Sequence, residues 1–165
     1  MTTNISHIMG KKLETIEEMA SVQEAAKKMK DKNVSSLVVV DGNGKPQGLV
    51  TERDLVRKVC TNDVRTSTVT NKEIMSSPLI TINSNSSPSI AADMMLQNDV
   101  RHLLVVDNDD KSNNLNKPIG IITPLDFTRY EEYSNDVEKD NIEKILEYYI
   151  WISPVLTGTV NLRLF

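Results

Sequence analysis

The residues with the clearest chemical potential form a motif, Gly-x-x-Thr-x-x-Asp, that occurs at residues 48–54 and again at 120–126. In both copies a β-branched apolar stretch leads up to the threonine and helix-compatible residues come after it. The motif therefore sits where a strand gives way to a helix start. Backbone N–H groups and the positive end of the helix dipole favour an anion at such a junction. The threonine hydroxyl can bond a phosphate or ribose oxygen, and the carboxylate can accept both hydroxyls of a ribose. Thr and Asp at i and i+3 share a helix face. The same residues also suit a plain structural role, threonine as an N-cap and aspartate as a dipole partner in the first turn. Taken alone, the motif leaves both readings open.

The elements that must position it come from an internal repeat. At a shift of 66, Ile8-Met9 falls on Ile74-Met75, Ser21 on Ser87, Ala25-Ala26 on Ala91-Ala92 and Met29 on Met95. Leu37-Val38-Val39-Val40-Asp41 likewise falls on Leu103-Leu104-Val105-Val106-Asp107. A longer loop in the second copy then moves the shift to 72, at which the two motifs superpose. Ser21 with Glu24 is a capping box, and Ser87 before Pro88 is an N-cap with proline at N1, so both open helices. Val22, Ala25, Ala26 and Met29, and Pro88, Ala91, Ala92 and Met95, give each helix one apolar face. The runs 37–40 and 103–106 read as strands buried on both sides. Asp41-Gly42-Asn43-Gly44 is a tight turn, and its counterpart, 108–116, is a polar loop. Each unit reads strand, helix, strand, strand, helix, the last helix starting at the motif. The polar stretch 60–72 joins the units.

The tail has no partner in the repeat. Residues 136–152 predict a helix with Ile142, Ile145, Leu146, Tyr149 and Ile152 along one stripe, and Val160, Leu162 and Leu164 alternate as in a strand. The stripe suits a helix covering the chain's own core or a twin subunit, or else a docking element for another protein. The expected division is 1–66 for the first unit, 67–133 for the second and 134–165 for the C-terminal helix and tail.

Composition narrows the function. With 165 residues, 39% of them apolar and 25% charged, the chain can bury a real core. A net charge of −4 with scattered cations argues against a surface dedicated to nucleic acid or anionic membrane. No apolar run is long enough for a membrane span or resembles a signal peptide, and Cys60 is alone, so a cytoplasmic location without disulfides is expected. His7 and His102 lack acidic or cysteine companions at ligand spacing, so no metal site is expected. Cys60 has no histidine neighbour and no nucleophile has a partnered base, so no catalytic residue is assigned and the expectation is a non-enzyme.

The repeat and motif together resemble a tandem pair of cystathionine β-synthase (CBS) domains, often called a Bateman module, over residues 8–130. The resemblance implies an α+β fold of two pseudo-symmetric βαββα units packed through their sheets. It also implies two clefts for adenine nucleotides (AMP, ADP or ATP) or S-adenosylmethionine-like ligands, with no cofactor required, and pairing into a homodimer. In that family each cleft joins the motif of one unit to the strand start of the other, with the Asp on the ribose. Carried over, the first cleft combines Thr51, Arg53 and Asp54 with Arg101 and His102. The second combines Thr123 and Asp126 with Ser35 and Ser36. The first gathers the cations, whereas Pro124 and Leu125 replace Glu52 and Arg53 in the second, so phosphate is expected in the first. The function so implied is a free-standing regulatory ligand sensor acting on an unidentified protein. The alternative is an interaction or dimerisation scaffold with vestigial clefts and a docking C-terminal helix.

Overall fold

The computed structural model describes residues 3–107, 117–129 and 139–149. In the first half, β1 (Thr15–Glu17), α2 (Val22–Lys32), β2 (Ser36–Val40) and β3 (Pro46–Thr51) come after a short helix α1 (Ile5–Ile8). The second half repeats this with β4 (Thr81–Asn83), α5 (Pro88–Asn98), β5 (Leu103–Asp107) and β6 (Lys117–Ile122) after α4 (Asn71–Ile74). Each sheet has its central strand parallel to one neighbour and antiparallel to the other, in the orders β1-β2-β3 and β4-β5-β6. Even the irregularities repeat. The ladder slips between Val39 and Val40 in one sheet and between Val105 and Val106 in the other.

Local chemistry sets the helix ends. Ser21 donates from its N–H and its hydroxyl to Glu24 Oε2 at 2.9 and 2.7 Å, which closes the capping box that starts α2. α2 and α5 stop at Asn33 and Asp99, both in the left-handed region with φ of 53° and 50°. On α2 and α5, Val22, Ala25 and Met29 and Pro88, Ala91, Ala92 and Met95 are buried, the faces that the periodicity predicts.

Strand alternation then builds three apolar layers. Leu37 and Val39 face α2 in one core, and Leu103 and Val105 face α5 in another. The intervening Val38, Val40, Leu104 and Val106 form a third cluster with Leu49 and Ile121, where sheet packs on sheet. The two halves also exchange segments. Ile5, Ile8 and Met9 are buried in the second half's core, while Ile74 and Met75 pack into the first. Backbone bridges fix both, Gly10 with Ile121 and Ser76 with Leu49. The tail helix α6 (Lys139–Tyr149) buries Ile142 and Ile145 in the second core beside Phe127, so its stripe covers the chain's own core.

Two expectations need correction. The helix after the first motif is not uniform: α3 (Glu52–Asp54) widens to a π-helix over Leu55–Val59 and tightens to a 3-10 turn at Cys60–Asn62. After the second motif the described residues form a 3-10 helix, Pro124–Arg129, with Asp126 N–H on the Thr123 carbonyl and the Thr128 hydroxyl on the Leu125 carbonyl. Such side-chain bonds compete with the α pattern. The stretch 60–72 is also more than a polar joint, because the Val69 and Thr66 carbonyls accept from Val22 and Gln23 at the start of α2, and Asn71 is fully buried. The loop 108–116, residues 130–138 just before α6, and 150–165, with the end of the predicted 136–152 helix and the alternation near Leu162, lie outside the described residues. No helix among the described residues is long and apolar enough to cross a membrane.

The motif's glycines serve this exchange of segments. A Cβ at Gly120 would stand 2.5 Å from the Gly10 carbonyl oxygen, and one at Gly48 would stand 2.6 Å from Met75 Sδ and 2.9 Å from the Ser76 carbonyl oxygen. Gly120→Ala is therefore expected to lower unfolding free energy by roughly 1–3 kcal/mol, measured by urea denaturation, and an unchanged midpoint would refute the close-approach role.

Candidate functional site

Both motifs are closed by bonds from the threonine to the aspartate, and the first is a reciprocal cap. Thr51 donates to Asp54 Oδ2 from its N–H at 2.9 Å and from its hydroxyl at 2.7 Å, and the hydroxyl accepts from Asp54 N–H at 3.2 Å. Thr123 donates likewise to Asp126 Oδ2, at 2.8 and 2.9 Å, while Asp126 N–H donates to the Thr123 carbonyl at 3.0 Å. The cap reading of the motif therefore holds, and the cap fixes each carboxylate at the C-terminal end of a strand. Each threonine hydroxyl gives its proton to the carboxylate, which leaves cations and N–H groups as the anion donors. Asp54 and Asp126 are both buried, at 8% exposure.

A cavity of about 300 Å³ lies against the first motif. Thr51, Arg53, Asp54, Arg101 and His102 all line it, so the structure brings together the set predicted for the first cleft. Strand β3 supplies the motif, and the turn from α5 into β5 supplies Arg101 and His102. Pro78, Leu79, Ile80 and Val100 add an apolar wall suited to a flat ring. Sequence reasoning missed Arg57 and Lys58 in the same wall. Their spacing was the available signal, since Arg57 lies at i+4 from Arg53 and Lys58 at i+4 from Asp54. Lys58 Nζ stands 2.8 Å from Asp54 Oδ1.

His102 is half-buried, and its pKa is pushed down to about 4. Burial is the largest cause; Arg101 adds to it, Asp54 opposes it and Arg53 adds further. The ring is thus neutral at pH 7, able to donate from one nitrogen and accept at the other.

A second cavity, of about 320 Å³, spans the junction between the halves. Ser35 and Thr123 line it together with Thr51, Arg53, Arg101 and His102, and Pro124 and Leu125 form its apolar edge. Ser36 and Asp126 do not line it. Ser36 pairs with Thr51 inside the first sheet, and Asp126 is turned into its own cap. The cations in the wall of this junction, Arg53 and Arg101, are those assigned from sequence to the first cleft, so they face both cavities.

Comparison with known proteins agrees with this architecture. The sequence profile of the CBS domain matches residues 5–60 and again 72–133. An uncharacterised protein of Methanopyrus kandleri is 32% identical over 124 residues, which is 75% of this chain and 60% of that protein, so the chain spans less than two thirds of that relative. The crystal structure of a conserved uncharacterised protein from Pyrococcus horikoshii superposes with a TM-score of 0.69 at 28% identity, over 83% of this chain and 98% of that one. A hexameric CBS-CP12 protein from bloom-forming cyanobacteria gives a TM-score of 0.70 at 27% identity, over 87% of this chain and 82% of that one. Two matched units, two sheets packed face to face and two capped motifs lead to one assignment: the chain belongs to the CBS domain family, as a tandem pair.

Proposed function

We propose that the pair is a regulatory ligand-binding module whose first cleft takes an adenine nucleotide, with the phosphate against Arg53, Arg101 and His102. The observation that carries this reading is the convergence of the Arg53 and Arg101 cations, the His102 ring and the capped Asp54 on one cavity with an apolar wall. Asp54 supports binding rather than base catalysis. Its carboxylate already accepts from Thr51 and Lys58, so its oxygens are committed to holding the motif and have little room to act on a substrate proton. The ribose falls to Asp54, the base to Leu79, Ile80 and Val100, and the phosphate to guanidinium forks that match its oxygens. The second motif, with Thr123, Asp126, Ser35 and Ser36, serves a ligand without phosphate or stays empty. S-adenosylmethionine fits the family but not the anionic preference of the first cleft. A nucleotide bridging both halves stabilises one arrangement of them by its differential affinity, which is how it would signal to a partner or a twin chain. Cytoplasmic location and homodimer formation belong to the same reading. A scaffold acting through the tail stripe has less support, because Ile142 and Ile145 are buried in the chain's own core.

Isothermal titration of AMP separates these possibilities. Asp54→Ala is expected to weaken binding at least about tenfold and Asp126→Ala by less than about threefold, a difference of roughly 1 kcal/mol or more. Both substitutions remove the threonine-to-carboxylate cap bonds, and Asp54→Ala also removes the Lys58 ion pair, so thermal melting of both variants accompanies the titration. Equal losses would overturn the assignment of the phosphate to the first cleft, and no binding by the unaltered protein would overturn the nucleotide reading itself.

His102 supplies an independent check. Its pKa near 4 rises when a phosphate dianion stands beside it, so His102 takes up protons on binding, opposite in sign to the release from the phosphate's own second ionisation at about pH 6. Titration at pH 6 in two buffers of different ionisation enthalpy is expected to show this uptake as the difference between the unaltered protein and His102→Gln, which keeps only the ligand's own contribution. Identical uptake in the two proteins would remove His102 from the phosphate site.

A further inference from the structure

Asp54 is the residue on which the sugar assignment rests, and its acceptor capacity can be counted. An ionised carboxylate has about four acceptor positions. Thr51 N–H and Thr51 hydroxyl occupy two on Oδ2, and the Lys58 ammonium occupies one on Oδ1. One position remains. Lys58 is itself anchored on the far side, donating to the Ile74 carbonyl at 2.6 Å, and Ile74 ends α4, part of the segment that connects the halves. The lysine lies on the turn where the helix widens to the π form, Leu55–Val59. π turns of this kind recur at functional sites. The corresponding position after the second motif is Tyr130, so no ammonium is available there from sequence.

We infer that Lys58 determines how the first cleft reads its sugar: with the ammonium on Asp54 the carboxylate accepts one ribose hydroxyl, and full engagement of a cis-diol requires Lys58 to leave both Asp54 and the Ile74 carbonyl. This rests on the nucleotide reading above and refines it. The cleft therefore discriminates weakly between ribose and 2′-deoxyribose while Lys58 stays in place. Removing the ammonium while keeping the aliphatic stem, as in Lys58→Met, opens the second position on Oδ1 and sharpens that discrimination.

The probes are adenosine and 2′-deoxyadenosine, which lack phosphate and so separate sugar recognition from any attraction between Lys58 and an anion. Calorimetric titration of the full chain is expected to give a ribose preference within about threefold in the unaltered protein and about tenfold or more in Lys58→Met, the gain of one hydrogen bond to a charged acceptor. Circular dichroism and thermal melting establish that Lys58→Met is folded, and Lys58→Arg, which keeps a cation at that position, is expected to keep the weak preference. An unchanged or diminished preference in Lys58→Met overturns this inference while leaving the nucleotide reading intact. Failure of adenosine and AMP alike to bind the unaltered protein overturns both.

Discussion

A three-stranded sheet whose central strand is apolar on both faces cannot stand in water on either side. That constraint organises this chain. Leu37 and Val39 are covered by α2, but Val38 and Val40 need a second cover, and the same face of the other copy, Leu104 and Val106, supplies a surface of matching shape. Sheet therefore packs on sheet, and the two halves face each other across an approximate two-fold relation. Once that face is fixed, the C-terminal ends of β3 and β6 lie beside the entries to β5 and β2, and the junction draws residues from both halves: Ser35, Thr51 and Arg53 with Arg101, His102 and Thr123. The candidate site is thus a consequence of covering a hydrophobic surface. The segment exchange reinforces it, since Ile5, Ile8 and Met9 sit in the second core and Ile74 in the first, so separating the halves would expose apolar surface in three clusters.

Much of this was legible because it arises from short-range periodicity and close internal repetition. Ser21 and Ser87 announce their helices, the runs around Val38 and Leu104 announce strands buried on both faces, and the shift of 66 announces two copies. The features that stayed hidden depend on contacts between elements distant in sequence. Nothing local in Ile8-Met9 says that it packs on the second half rather than the first, and the reason for Gly120 is visible only once Gly10 is seen lying over it. The site divides in the same way. Thr51 and Asp54 were identified as a pair, with cap and ligand roles left open, and the cap bonds are the part a sequence can promise, because i to i+3 geometry is local. The Lys58–Asp54 pair is also local, at i and i+4; its second anchor, the Ile74 carbonyl sixteen residues on, is what the sequence does not show.

The two motifs part company immediately after the cap. Both copies begin from the same Thr and Asp, with the carboxylate pinned at Oδ2 by two donors from the threonine. In the first copy the chain continues through α3 into a π turn, which carries Arg53, Arg57 and Lys58 past the cavity. In the second, Pro124 removes an N–H and Leu125 projects into solvent at 66% exposure, and the turn tightens to 3-10. Duplication supplied a symmetric frame and left the cap intact in both places, because losing it would leave a strand end and a helix start with unpaired backbone groups. Beyond the cap, Val59 and Phe127 still serve the cores, and the residues that differ are the polar ones facing the cavity, Arg53, Arg57 and Lys58. An electrostatic asymmetry has therefore been laid over a symmetric scaffold: the cations come from the first motif and the entry to β5, and the second motif contributes none of its own.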